Sequence, residues 1–137
     1  MIGTSFFAAM RKTIFLLLVV NGTAIADEWV EVNRNVYAAG YANPASIVRD
    51  GNFAIMWTLV DCKAMTHFIG GYPFMSIKSH EEFDCKERKL RTLVYSLHPG
   101  KMGEGKVIFS DSNPSQWAPV LPDSEMVDFL NIACGRK

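Results

Sequence analysis

Ser46-Ile47-Val48-Arg49-Asp50-Gly51-Asn52-Phe53-Ala54-Ile55-Met56-Trp57 is the stretch that decides the fold. Two β-forming runs flank an Asp-Gly pair. That dipeptide favours two-residue hairpin loops, whose central positions take φ > 0. The segment therefore predicts a β-hairpin with Asp50-Gly51 as its loop. Its second arm continues to Val60 or Cys62 and is apolar at nearly every position. Such a run marks a central strand covered on both faces, or covered on the second face by a dimer partner.

Working outward, Trp29-Val30-Glu31-Val32-Asn33 alternates apolar and polar residues, as a half-buried strand does. Val36 to Tyr41 is a weaker strand candidate, and Asn43-Pro44 is predicted to punctuate the chain after it. Downstream, His67 to Pro73 contains Gly70-Gly71 and reads as a loop. Phe74 to Cys85 is a long alternating stretch, followed by a turn near Lys86–Lys89 and a strand from Leu90 to Leu97. Pro99-Gly100 with Gly103 and Gly105 makes a hairpin turn, and Lys106 to Ser110 a last strand. Gly100 to Lys106 has no Gly-Lys-Ser/Thr end opening a helix, so it is no phosphate loop.

Asp111 to Pro122 is polar and proline-punctuated, with Trp117 as an embedded anchor. The period then changes. Asp123 or Ser124 is placed to N-cap a helix, with Glu125 in its first turn, where a negative charge suits the helix dipole. Met126, Val127, Leu130, Ala133 and Cys134 fall on one face, and Gly135 is a natural C′ residue. The expected fold is α+β: a mainly antiparallel sheet of about five to six strands with a C-terminal α-helix packed on it.

The N-terminus has the layout of a cleavable signal peptide over residues 1–26: Arg11-Lys12, the apolar run Ile14 to Val20, then Ala24-Ile25-Ala26. The run breaks at Asn21-Gly22, short of the roughly 20 apolar residues a spanning helix needs. No transmembrane segment is expected, and no Cys stands at the cleavage point to take a lipid. The expected product is one exported domain, residues 27–137, periplasmic, secreted or at the cell surface. It carries 12 basic and 14 acidic residues, a net −2, which argues against nucleic acid as the partner.

Export places Cys62, Cys85 and Cys134 in an oxidising compartment, where at most one bridge can form within the chain. Cys134 lies on the helix's apolar face and Cys85 ends a long strand. A Cys85–Cys134 bridge would staple the helix to the sheet, leaving Cys62 as the odd thiol.

Catalytic signals are absent from the motif inventory: there is no HExxH, CxxC or GxSxG. His67, His80 and His98 have no partner at a motif spacing and read as surface or loop residues. Glu81, Glu82 and Asp84 cluster, but adjacent strand residues face opposite sides, so a solvated strand is expected rather than an acid/base pair. No enzyme, cofactor or metal is expected. Lys86, Arg88, Lys89 and Arg91 form the basic cluster. It could grip an acidic patch on a partner protein, or guard a sheet edge from pairing. Tyr37, Tyr41, Phe53, Phe68, Tyr72 and Phe74 read as core or dimer interface.

Taken in order, Trp29, the Asp50-Gly51 hairpin before Ala54-Ile55-Met56-Trp57, Met75-Ser76-Ile77-Lys78, Glu82-Phe83-Asp84-Cys85, Arg91, Tyr95-Ser96, Trp117 to Ser124 and Ala133-Cys134 resemble the surface-adhesin protein E family. The resemblance implies an antiparallel sheet with a C-terminal helix and a homodimer, and it supports the Cys85–Cys134 bridge. It also implies adhesion to matrix and serum proteins such as vitronectin, laminin and plasminogen. The family's founding adhesin is lipid-anchored, whereas this chain lacks the lipobox Cys. The expected function is an exported protein-binding module. The alternative is a periplasmic envelope-accessory protein with no host adhesion.

Overall fold

The computed structural model describes residues 28–66 and 69–136. The expected signal peptide and His67 lie outside the described residues. Strands β1 (Val30–Arg34), β2 (Ala38–Asp50), β3 (Phe53–Thr66), β4 (Phe74–Asp84) and β5 (Lys89–His98) form an antiparallel meander in sequence order. The far edge of β5 is shared by β6 (Phe109–Asp111) and β7 (Ala118–Pro119). Helix α1 (Met126–Ala133) closes the chain. The architecture is the expected α+β sheet with one C-terminal helix.

The β2–β3 hairpin forms one residue later than the sequence suggests. Asp50 pairs with Phe53, so the loop is Gly51-Asn52. Gly51 takes φ +59 and Asn52 stays out of the positive-φ region. This is the loop pattern with Gly at the first central position. Nor does Asn43-Pro44 end a strand. β2 runs through it, with the register to β3 slipping between Asn43 and Val48. A bulge is where a sheet accepts proline. Ser46 repairs the gap: its hydroxyl donates to the Asn43 carbonyl at 2.6 Å and accepts the Trp57 amide at 2.9 Å.

One sheet face carries α1. Ala42, Ala54, Met56 and Phe83 from the strands meet Phe129, Leu130 and Ala133 from the helix, with Val120 beside them. Phe129, absent from the expected stripe, is 3% exposed and central to it. An isolated helix of eight residues is too short to be stable in water, so its ends are pinned. Asn33 Nδ2 donates to the Glu125 carbonyl and to Asp128, and Asn35 Nδ2 donates to Glu125 Oε1. At the other end Cys85–Cys134 forms the disulfide and Arg49 Nε donates to the Ala133 carbonyl. Gly135 and Arg136 donate to the Ile132 and Asn131 carbonyls, closing a Schellman cap. The expected N-cap differs: the Ser124 hydroxyl donates back to Leu121, and Glu125 occupies the cap position without a side-chain bond.

Gly40 on β2 faces the helix, where a Cβ would stand 2.3 Å from Asn33 Oδ1 and 2.9 Å from the Phe129 ring. Its bare backbone lets the helix approach the sheet. A second core cluster, Cys62, Phe74 and Leu97, lies toward the other end of the sheet.

Candidate functional site

The face opposite α1 is built by cross-strand register. Trp57 on β3 lies beside His80 on β4, and Ile55 beside Glu82, which in turn pairs with Arg91 on β5. Partners across a ladder share a face, so these side chains form one row. The Trp57 and His80 rings stack at 4.4 Å with 6° between planes. The Lys78 ammonium stands over both Trp57 and Trp29, at 5.7 and 5.9 Å. Toward the Gly51 hairpin, the Arg91 guanidinium sits 4.8 Å over Trp117 and pairs with Glu82 at 2.6 Å. Phe53 completes that end, 5.9 Å from Trp117. All three tryptophans of the chain thus gather on this side of the sheet.

Half of the face is covered. A 3₁₀ turn at Lys101–Gly103 folds back over it, extending well beyond the simple hairpin turn expected between β5 and β6. Met102 N donates to Asp61, Gly103 N to the Ser76 hydroxyl, and Lys101 Nζ to the Cys62 carbonyl. Ser76 and Leu59 are buried as a result. No such cover lies over the aromatic row among the described residues, and Trp117 and Phe53 stay exposed.

The structure separates the four basic residues. Lys86 and Lys89 are exposed on the β4–β5 turn, which Asp84 Oδ1 shapes by accepting the Lys86 and Glu87 amides. Arg88 takes φ 55 there, and its carbonyl accepts the Val120 amide. Arg91 belongs to the aromatic row instead. The cluster is an exposed turn plus one ion-paired arginine at the edge of the uncovered face.

Two expectations about titratable residues are overturned. His98 is buried, with Nε2 at 2.8 Å from the Ser96 hydroxyl. Glu81 is not on a solvated strand: it is 7% exposed on the face that carries the helix, which it shares with Phe83 by alternation along β4, with Met56 and Thr92 opposite it on the neighbouring strands. Burial pushes its carboxyl up to about 7, against a hydrogen bond from Thr92 that works the other way. His80, on the opposite face, is pushed below its ordinary value by burial. Cys62 is free and buried, and burial with nearby Asp61 raises its thiol. Among the described residues no group of three or more His, Cys, Asp or Glu is placed to hold a metal ion. No helix among them is long and apolar enough to cross a membrane.

Sequence reasoning singled out Trp117 but missed the row formed by Trp29, Trp57, Lys78 and His80. Lys78 and His80 at i, i+2 signal a shared strand face. Only the β3–β4 register brings Trp57 to them, and Trp29 joins from just before β1.

The family model described as surface-adhesin protein E matches residues 29–135. The chain is similar in structure to crystal form II of Haemophilus influenzae protein E, with TM-score 0.63 at 14% identity over 82% of this chain and 91% of that one. A second structure of Haemophilus influenzae protein E gives 0.60 at 15% identity, over 82% and 88%. Protein E from non-typeable Haemophilus influenzae gives 0.54 at 15%, over 82% and 79%. No curated protein matches the sequence.

Proposed function

The chain belongs to the surface-adhesin protein E family, and we propose that it is an exported protein-binding module that engages its partner through the uncovered sheet face. The observation that carries this reading is the gathering of Trp29, Trp57 and Trp117 with Lys78, His80 and Arg91 on that face. Tryptophan and arginine dominate the energetic centres of protein interfaces. Here each cation lies over a ring, which holds large side chains ready at small entropic cost.

Lys86 and Lys89, exposed beside the row, supply positive charge at its rim. Rim charges steer encounter and make association salt-dependent more than they deepen affinity. The partner class is a matrix or serum protein with an acidic surface. The Ala24-Ile25-Ala26 site delivers the domain outside the cytoplasm, at the surface or in the periplasm.

The test is binding of the purified protein to immobilised vitronectin, laminin and plasminogen across a salt series, beside the Lys86/Arg88/Lys89/Arg91→Ala variant. Saturable binding that weakens with salt and in the variant supports adhesion with the basic turn at its rim. Equal binding by both proteins removes the turn from the site. No binding above a control protein removes matrix adhesion and favours an envelope partner. Sedimentation of the same samples shows whether a second copy occupies the face, as a homodimer through the tryptophan row would.

A further inference from the structure

The helix is shorter than the sheet it covers. Eight residues of α1 span about 12 Å, whereas the eleven residues of β4 run about 36 Å. Between the core cluster under the helix and the second cluster at Phe74 and Leu97, the helix-side face is left open. A cleft of about 400 Å³ lies there, within the size range of small-molecule sites. Met126 and Phe129 from the helix, with Ile77 and Tyr95 from the sheet, give it apolar walls. Ser115 closes one side, exchanging hydrogen bonds with the backbone of Thr92.

Its floor is polar: Thr58, Ser79, Glu81 and Thr92. The Thr92 hydroxyl donates to Glu81 Oε2 at 2.8 Å. None of the hydrogen bonds among the described residues reaches Oε1, and that oxygen opens into the cleft although Glu81 as a whole is more than nine-tenths buried. A carboxyl that is desolvated except for one oxygen facing a cleft offers that oxygen to a ligand's donor. Among the described residues no Lys, Arg or His lines the cleft, so nothing there would neutralise an anionic ligand. We propose that this cleft binds a small amphipathic amine, its ammonium on Glu81 Oε1 and its apolar body against Ile77, Tyr95, Met126 and Phe129. The site lies on the opposite face from the tryptophan row and is independent of it. An entering ammonium supplies the counter-charge whose absence disfavours ionised Glu81.

The probe is hexylamine, with hexanol and hexanoate as neutral and anionic counterparts, followed through the methyl signals of Ile77, Thr92 and Met126 by NMR. Hexylamine is expected to shift these methyls saturably, and hexanol to bind at least about tenfold more weakly. Hexanoate should not bind. Glu81→Gln, which keeps the side chain's shape, should bring hexylamine down to the level of hexanol. An arm without mutation uses pH. The other titratable group lining the cleft is Tyr95. Glu125 and Asp128 on α1 are turned toward Asn35 and Asn33. Hexylamine affinity should therefore rise from about pH 5 to about pH 8 as Glu81 ionises. Equal binding of amine and alcohol, a pH-independent affinity, or shifts that never saturate would each overturn the proposal.

Discussion

The Trp57 indole and the His80 imidazole lie face to face, 4.4 Å apart and nearly parallel, on the side of the sheet that the helix leaves uncovered. Each ring shields the other from water. Burial is the cause that lowers the His80 pKa, since it disfavours the imidazolium. The sign follows: a histidine whose folded pKa lies below its unfolded value near 6.5 removes stability as pH falls through that value. NMR titration of the imidazole should place His80 below 6.5, and Trp57→Ala should move it back up. A His80 pKa above 6.5 in the wild type contradicts the stacking account.

Glu81 sets an opposite pH dependence on the other face. Its carboxyl is near 7 when folded, against 4.5 as the ordinary value. The folded state holds the proton longer, so stability falls as pH rises from about 4.5 to about 7. At about 1.4 kcal/mol per unit, ionisation costs on the order of 3 kcal/mol above that window. Glu81→Gln keeps an acceptor for Thr92 and never ionises. It should raise stability against urea at pH 8 and change it little at pH 4. Equal gains at both pH values would place the effect elsewhere.

The Cys85–Cys134 bridge closes a loop with a sequence separation of 49. Chain-entropy reasoning gives such a bridge about 4 kcal/mol. The Cys85→Ser/Cys134→Ser double variant should lose about that much in chemical denaturation. Because Asn33, Asn35 and Arg49 also hold the helix, the sheet should survive with the helix end frayed. Hydrogen exchange would show protection lost first over Met126–Ala133.

Gly40→Ala puts a methyl against Asn33 Oδ1 and the Phe129 ring. Overpacking of this kind costs about 1–3 kcal/mol. Adding Phe129→Leu should recover part of that loss, which thermal denaturation of the single and double variants would measure. A neutral Gly40→Ala would mean the helix can back away freely.

Much of the meander was legible in the sequence. The alternation of Phe74 to Asp84, the turn before Lys89 and the helix at Met126 all follow from local period and turn chemistry. The misses are where long-range structure overrides local signals. Asn43-Pro44 reads as a stop, yet Ser46 carries β2 through it by bonding across the bulge. Glu81 reads as solvated, yet alternation with Phe83 puts it on the face that carries the helix, where the fold buries it. The site was the least legible part. Trp29, Trp57 and Trp117 are spread across the whole domain, and nothing local says that Lys78 and Arg91 stand over their rings. The basic run from Lys86 to Arg91 read as one cluster because spacing cannot show that Arg91 pairs with Glu82 directly across the β4–β5 ladder.

The most direct test of the tryptophan row as the partner-binding surface is surface plasmon resonance on immobilised vitronectin, laminin and plasminogen, comparing wild type with Trp57→Ala/Trp117→Ala. Glu81→Gln, altered only on the opposite face, serves as the control. Loss of at least about tenfold in affinity in the tryptophan variant, with the control unchanged, is the predicted result. Equal affinity of wild type and the tryptophan variant would contradict the account.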